Sequence, residues 1–358
     1  MQKSHLVAPP VALATLIAGA TSALLESVWG LSFGAIVLIL AVFSAVHHAE
    51  VVAHRVGEPL GTLVLALAVT VIEVALILSM MLNASDEPAP ELARDTLFAA
   101  IMIIGNGVTG LCLFAGGIRH REQSFRVESV GPALAALMAL STLTLVLPTF
   151  TTSSPVGTYT SSQLVFVAIS SMGLWCVFTF FQTIRHRDYF LPEDDITNEQ
   201  AHAAPPTRAQ ASLSMLALLV CLIGVVGLAK LLSPSIEDGL AKAGAPPAVL
   251  GIAIALLVLL PETIAAVRAA HADRLQTSLN LALGSALASI GLTVPAVAIA
   301  AVWLHLPLTL GLNAKDLVLL ALTFGVAGIT LVHGRTSMMQ GAIHLVVFLA
   351  FLFLAIVP

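Results

Sequence analysis

Charge is scarce in this chain. Asp, Glu, Lys and Arg make up 10% of its 358 residues, where a soluble domain carries about 25%. So little charge cannot cover a water-facing surface, which excludes a soluble globular protein. No basic patch suggests nucleic acid, so no nucleic-acid partner is expected. Cysteine is almost missing. Cys112, Cys176 and Cys221 fall inside apolar runs with no metal-ligand spacing, and read as small packing residues. There is no HEXXH motif and no nucleophile set, so the chain is not expected to be an enzyme. A cleaved signal peptide is not expected either, because the apolar run from Val7 is followed at once by another.

What the chain has instead is apolar length. Hydrophobic residues make up 58% of it, and the mean hydropathy is +1.00. At about 20 apolar residues per crossing, that suits an all-α polytopic membrane domain. Runs bounded by turn or charge signals predict eleven spans: 11–28, 32–49, 60–83, 93–117, 130–149, 162–183, 212–232, 248–268, 277–303, 314–332 and 340–357. The fourth and ninth are glycine-rich ("GNGVTG", "LGSALAS"), which suits close helix contact or local unwinding.

The basic residues orient the spans. With the N-terminus inside, eleven of the fifteen Lys and Arg fall in cytoplasmic segments, and Arg94, Lys230, Lys242 and Lys315 fall outside. The positive-inside rule therefore predicts a cytoplasmic N-terminus and a periplasmic C-terminus. One long polar loop, about 185–211, lies near the chain centre on the inside. It reads as a solvated linker, and its "EDDITNE" run as part of that linker or a cytosolic calcium sensor.

The two halves on either side of this linker look alike. "GEPLGTLVLALAVTVIE" (57–73) and "GAPPAVLGIAIALLVLLPE" (244–262) both run from glycine and proline through an apolar stretch to one deep glutamate, and a Gly-rich span follows each. The expected organisation is an N-terminal helix (1–30), a first five-helix repeat (31–184), the linker (185–211) and a second, inverted repeat (212–358). Inverted repeats of this kind characterise many secondary transporters, with the site at the repeat interface.

Of the twenty acidic residues, only Glu73 and Glu262 sit deep in apolar runs. A charge at bilayer depth costs roughly 2.5–3.5 kcal/mol even on the gentlest scale, so it signals function by default. The bland alternative is a structural ion pair, but no Lys or Arg lies equally deep. Two carboxylates can give anionic oxygens to a hard cation. With the cation gone, removal from water favours the protonated forms. Cation and protons then compete for the same oxygens, which is the simplest coupling for antiport.

Other ligands would be neutral oxygens. Pro261 removes a backbone donor and frees a carbonyl about one turn earlier. Thr70, Asn106, Thr109, Thr263, Ser285 and Ser289 are small polar candidates in the same four spans, although a Ser or Thr in a helix more often bonds its own backbone. "HHAEVVAHRVGEP" (47–59) places Glu50, His54 and Glu58 at i+4 spacing on one helix face, beside His47 and His48. This reads as a solvated helix end, or as a cation entrance and pH-sensing collar; with the two histidines it also has the chemistry to bind a transition metal. His344, the deepest histidine, reads as a helix-packing contact ahead of a proton relay.

The segments "HAEVVAHRVGEPLGTLVLALAVTVIEVALI", "RDTLFAAIMII", "LLPETIAAVRAA", "LNLALGSALASIGLTVP" and "GRT" followed by "GAIHL" span nearly the whole chain. In these the chain resembles bacterial calcium/proton antiporters of the calcium/cation antiporter superfamily, specifically the sodium-potassium/proton type that also moves calcium. The resemblance implies two inverted alpha-repeats, an exchange site built on Glu73 and Glu262, and residence in the bacterial inner membrane. Calcium/proton exchangers carry a "GNATE"-like motif ending in that glutamate. Here the segments are "VTVIE" and "VLLPE", with Thr70 and Leu259 where asparagine would stand. Such a site has fewer side-chain oxygens, which fits sodium or potassium as well as calcium.

The expectation is thus an antiporter that exports calcium, or sodium and potassium, in exchange for protons. It needs no cofactor, the ions being cargo. Its partners are inorganic cations, protons and the lipid bilayer, and oligomeric state leaves no mark in the sequence. A sodium/calcium exchanger and a cation channel are the rivals, the latter without a recognisable filter loop.

Overall fold

The structure, a computed structural model, describes residues 3–21, 27–57, 60–83, 90–190, 206–242 and 244–357. Helices account for nearly all of it. They are α1 (Lys3–Thr21), α2 (Val28–Val56), α3 (Leu60–Asn83), α4 (Leu92–His120), α5 (Val127–Phe150), α6 (Ser161–Arg185), α7 (Arg208–Lys242), α8 (Ala248–His271), α9 (Leu275–Leu304), α10 (Ala314–Leu331) and α11 (Met338–Ile356). Ten of these, α2 to α11, are long and apolar enough to cross a membrane; α1 adds a shorter apolar stretch, Val7–Ala20. The chain is a multi-pass membrane protein, with eleven long helices among the described residues.

Most helix limits fall within a few residues of the sequence prediction. Two differ more. Helix α2 runs on to Val56, past the expected span end at 49, so His47 to Val56 of the histidine-rich segment are helical, as the i+4 spacing implied. Helix α7 runs through Pro234 to Lys242, so Lys230, which the sequence placed near a span end, lies well inside the helix on an exposed face. Hydropathy reports where a helix meets lipid, whereas backbone bonding continues past that limit. The first apolar helix is also displaced: α1 ends at Thr21, and residues 22–26 of the expected span 11–28 lie outside the described residues. The "EDDITNE" run lies outside them as well.

Side-chain caps fix several helix starts. Ser27 accepts from Gly30 N at 3.0 Å, and Asn313 accepts from Asp316 N at 3.0 Å. Thr160 with Gln163, and Ser337 with Gln340, form capping boxes at α6 and α11. Each cap is worth about 1 kcal/mol.

The chain folds as two units, and each takes elements from both sides of the linker. The first comprises Met1–Leu92 and Ala203–Val258. In it α2 packs along α7, with α1 and α3 also against α7. Gly224 and Gly227 allow this approach: a Cβ on Gly227 would stand 2.4 Å from Leu16 Cδ1 of α1. Arg55 Nη1 donates to the Pro206 carbonyl at 3.1 Å, tying the end of α2 to the start of α7.

The second unit comprises Ala93–His202 and Leu259–Pro358. Its centre is α4, 89% of whose apolar window is buried, against 28% for α11. Glycines explain how α4 is enclosed. A Cβ on Gly117 would lie 2.3 Å from Met338 N, and one on Gly341 would lie 2.3 Å from Phe114 N, so α4 and α11 touch backbone to backbone. Three helices of this unit contain a π segment: Ile103–Val108 in α4, Thr142–Val146 in α5 and Phe181–Arg185 in α6.

A short antiparallel ribbon closes one end of the unit, which an all-helical prediction did not include. β1 (Glu122–Ser124) pairs with β2 (Arg335–Ser337), with Gln123 opposite Thr336. Gln123 Nε2 also donates to the Ala270 carbonyl at 2.9 Å and to Asp273 Oδ1 at 2.8 Å, joining the ribbon to the α8–α9 turn.

Candidate functional site

Glu73 lies in the middle of α3, a continuous helix of 24 residues, and is 2% exposed. Thr70, one turn earlier, is also buried, as the i, i+3 spacing on one face requires. Both belong to the first unit.

Glu262 belongs to the second. It is half-buried, and its Oε2 is shut off from solvent. Pro261 sits inside α8 immediately before it, so the carbonyl of Leu257 loses its helical N–H partner. Thr263 Oγ1 donates to its own helix at the Leu259 carbonyl, 2.7 Å away. That hydroxyl hydrogen is spent on the backbone, although the oxygen keeps its lone pairs. On α9, Ser289 is buried and Ser285 half-buried.

Asn106 and Thr109 lie at the π segment of α4. Thr109 Oγ1 donates to the Ile104 carbonyl at 2.8 Å, across the π turn. Asn106 is fully buried, and its amide is engaged by side chains from two other helices. Nδ2 donates to Thr323 Oγ1 of α10 at 2.8 Å. Oδ1 lies 3.2 Å from His344 Nδ1 of α11. His344 Nε2 lies 2.8 Å from Thr330 Oγ1. Thr323, Thr330 and His344 thus complete a buried polar chain around Asn106. The sequence offered His344 as the deepest histidine but gave no sign of its partners, which lie 217 and 238 residues from Asn106 in the case of Thr323 and His344. Gly105, Thr109, Leu137, Leu283 and Thr323 line a small cleft beside this segment.

The histidine-rich stretch of α2 divides. His48 is fully buried and His47 half-buried, with ring centroids 5.6 Å apart. Glu50 and His54 are exposed. Glu58 lies outside the described residues. A helix end wholly in solvent does not describe this arrangement, because the paired histidines point two ways on a packed helix. Among the described residues no group of three or more His, Cys, Asp or Glu is placed to hold a metal ion. Cys112 and Cys221 are buried, and Cys176 is exposed on α6.

Comparison with known proteins decides the family. The model of the sodium/calcium exchanger protein family matches residues 26–184 and 213–357. The chain belongs to that family. The family is one of transporters, so this protein transports ions and is not an enzyme. A protein of Sinorhizobium fredii, y4hA, is 50% identical over 318 residues, covering 89% of this chain and 86% of its own. The sodium-potassium/proton antiporter ChaA of Escherichia coli is 34% identical over 354 residues, covering 98% of this chain and 95% of its own. Among solved structures, the H+/Ca2+ exchanger CAX superposes with a TM-score of 0.73 at 14% identity, covering 98% of this chain and 89% of its own. This last likeness establishes the shared fold of this family member.

Proposed function

We propose that this family member is a cation/proton antiporter that exports calcium, or sodium and potassium, from the cytoplasm in exchange for protons. The observation that carries the reading is the pair of carboxylates in mid-helix, Glu73 buried in α3 and Glu262 with a solvent-shielded oxygen in α8, one from each half of the chain. In this reading the two carboxylates hold protons when no cation is present, and a cation that enters must displace those protons. The likeness to ChaA, a sodium-potassium/proton antiporter aligned over nearly this whole chain, supports proton coupling and the monovalent cargo. A Ca2+/H+ antiporter of Aphanothece halophytica, 28% identical over 274 residues, supports calcium.

In this mechanism Glu73 and Glu262 ligate the cation in one state and hold protons in the other. Thr70, the Leu257 carbonyl freed by Pro261, Thr263, Ser285 and Ser289 supply neutral oxygens, and α4 and α9 line the pathway. The halves 31–184 and 212–358 act as inverted repeats around that site. The protein lies in the bacterial inner membrane with its N-terminus in the cytoplasm and its C-terminus in the periplasm. Glu50 and His54, exposed on α2, stand at the cytoplasmic entrance.

Proteoliposomes holding a trapped pH dye test this directly. Calcium, sodium, potassium and magnesium are added in turn to the parent protein and to Glu73→Gln and Glu262→Gln. Cation-triggered proton flux in the parent, lost in both variants, is the expected result. Folded parent protein with no such flux would sink the proton-coupled reading. Calcium movement driven by sodium with no proton gradient would replace it with sodium/calcium exchange.

A further inference from the structure

The polar chain around Asn106 has determinate hydrogen-bond directions. Thr323 Oγ1 donates to the Leu319 carbonyl at 2.8 Å, so it accepts from Asn106 Nδ2. Asn106 Oδ1 is then an acceptor, and His344 Nδ1 must carry the hydrogen between them. Reversing the amide would set Thr323's single hydrogen between two acceptors and leave one unsatisfied. His344 Nε2 is therefore a lone pair, and Thr330 Oγ1 donates to it. The hydroxyl of Thr330 has two other acceptors in reach, the Val326 carbonyl at 2.8 Å and the Ala327 carbonyl at 3.4 Å.

This chain has no outlet. It ends on a helix carbonyl at each side, Leu319 through Thr323 and Val326 beside Thr330. His344, Asn106 and Thr323 are at most 1% exposed. Among the described residues the groups that face the ring are the Asn106 amide, the Thr330 hydroxyl and the backbone carbonyl of Gly105, with no carboxylate or ammonium bonded to it. None of these passes a proton on to a titratable side chain. The geometry suits holding, not relaying. What it holds is the π segment of α4, which Asn106 also ties to Thr323 of α10 and which packs closely on α11: a Cβ on Gly107 would meet Phe348 at 3.2 Å.

We propose that His344 is a positioning residue of the transport pathway: its Nδ1–H, aimed at Asn106, fixes the π segment Ile103–Val108 between α10 and α11, and the ring does not carry the transported proton. For its flux arm this rests on the antiport reading above.

The test compares His344→Asn with His344→Leu in the intact protein. An asparagine amide places an N–H near the position of Nδ1 and does not titrate. Leucine offers no donor. Amide hydrogen exchange over residues 103–108 should be about tenfold faster in His344→Leu than in the parent and close to parental in His344→Asn. Cation-triggered proton flux should follow the same order, with His344→Asn within about threefold of the parent and keeping the parental pH profile. Parental exchange in folded His344→Leu would overturn the proposal. So would exchange in His344→Asn as fast as in leucine, or a His344→Asn pH profile that loses an inflection. A parent without cation-triggered proton flux would defeat the antiport reading, while the exchange measurement would still decide the role of His344 in the segment.

Discussion

Helices α4, α5 and α6 each contain a π segment, whereas α8, α9, α10 and α11, which follow the linker, are α-helical throughout. The two stretches share a sequence pattern, a deep glutamate followed by a glycine-rich span, yet their backbones differ. In α4 the glycines sit beside a six-residue π turn bridged by Thr109 and gripped through Asn106. In α9 the glycines belong to an unbroken helix of 30 residues. Within α9 the two glycines differ: a Cβ on Gly291 would stand 2.6 Å from Trp175 Cβ. A Cβ on Gly284 of α9 would meet nothing within 4 Å, while those on Gly117 and Gly341 would strike the backbone of the facing helix. Glycine in α4 and α11 serves contact; at Gly284 the fold makes no such demand. The two stretches thus share a sequence pattern, while the local chemistry decides how each backbone is held.

That contrast can be broken experimentally. The largest effect belongs to the feature the halves share: Glu73→Gln and Glu262→Gln should each cut cation-triggered proton flux by about 100-fold or more, since a transport site loses a charged ligand. Equal loss in both would make the halves equivalent at the site despite their different backbones. Next come the glycines. Gly341→Ala should lower stability by about 1–3 kcal/mol, because the new methyl group meets backbone that cannot rotate away. Gly284→Ala should stay within about 0.5 kcal/mol or gain slightly, as open space and helix propensity suggest. Thermal unfolding in detergent reads both, and a Gly284→Ala cost as large as that of Gly341→Ala would remove the distinction.

How much of this was legible in the sequence follows from what hydropathy can encode. Span positions were legible because each run must bury its backbone bonds within itself in lipid. Glu73 and Glu262 stood out because no other carboxylate lies as deep. The π segments were not legible, since an i+5 bond leaves no mark on hydropathy; "GNGVTG" hinted at unwinding without giving its form. The role of Asn106 was hidden for another reason. In sequence it is one of several small polar candidates in these spans, and its partners on α10 and α11 appear only when those helices are in place. The end of α7 was misread because Pro234 and the polar residues after it look like a stop, although a long helix tolerates one proline when its exposed side keeps the remaining bonds.

A smaller test concerns the same grip. Asn106→Ala removes a donor from Thr323 and the acceptor from His344 in a site closed to water, and should cost about 1–3 kcal/mol. Ser285→Ala, on the unbroken α9 and half-buried, should change stability by no more than about 0.5 kcal/mol. If both cost the same, the π segment is not specially held.

A further effect should appear at the second π segment. Tyr159 Oη donates to the Leu143 carbonyl at 2.7 Å, and burial pushes its hydroxyl up to about 12. The raised value means that the folded protein keeps this proton where the unfolded chain loses it. The hydroxyl's contribution is thus complete below about pH 10 and disappears as pH rises through about 12. Absorbance near 295 nm should show a tyrosine titrating late, and Tyr159→Phe should remove that step with a loss of about 1 kcal/mol at neutral pH. A late step that survives the substitution would assign it elsewhere.

The pairing of β1 with β2 has a consequence for counting. The strands join residues 122–124 to 335–337, and six helices, α5 to α10, lie between them in the chain. Each crossing carries the chain to the other side of the bilayer, so only an even number returns it to the side it left. Three residues on each strand therefore act as a parity check on the whole membrane topology. Any ancestor or engineered relative that gained or lost spans in this stretch while keeping the ribbon must have done so two at a time.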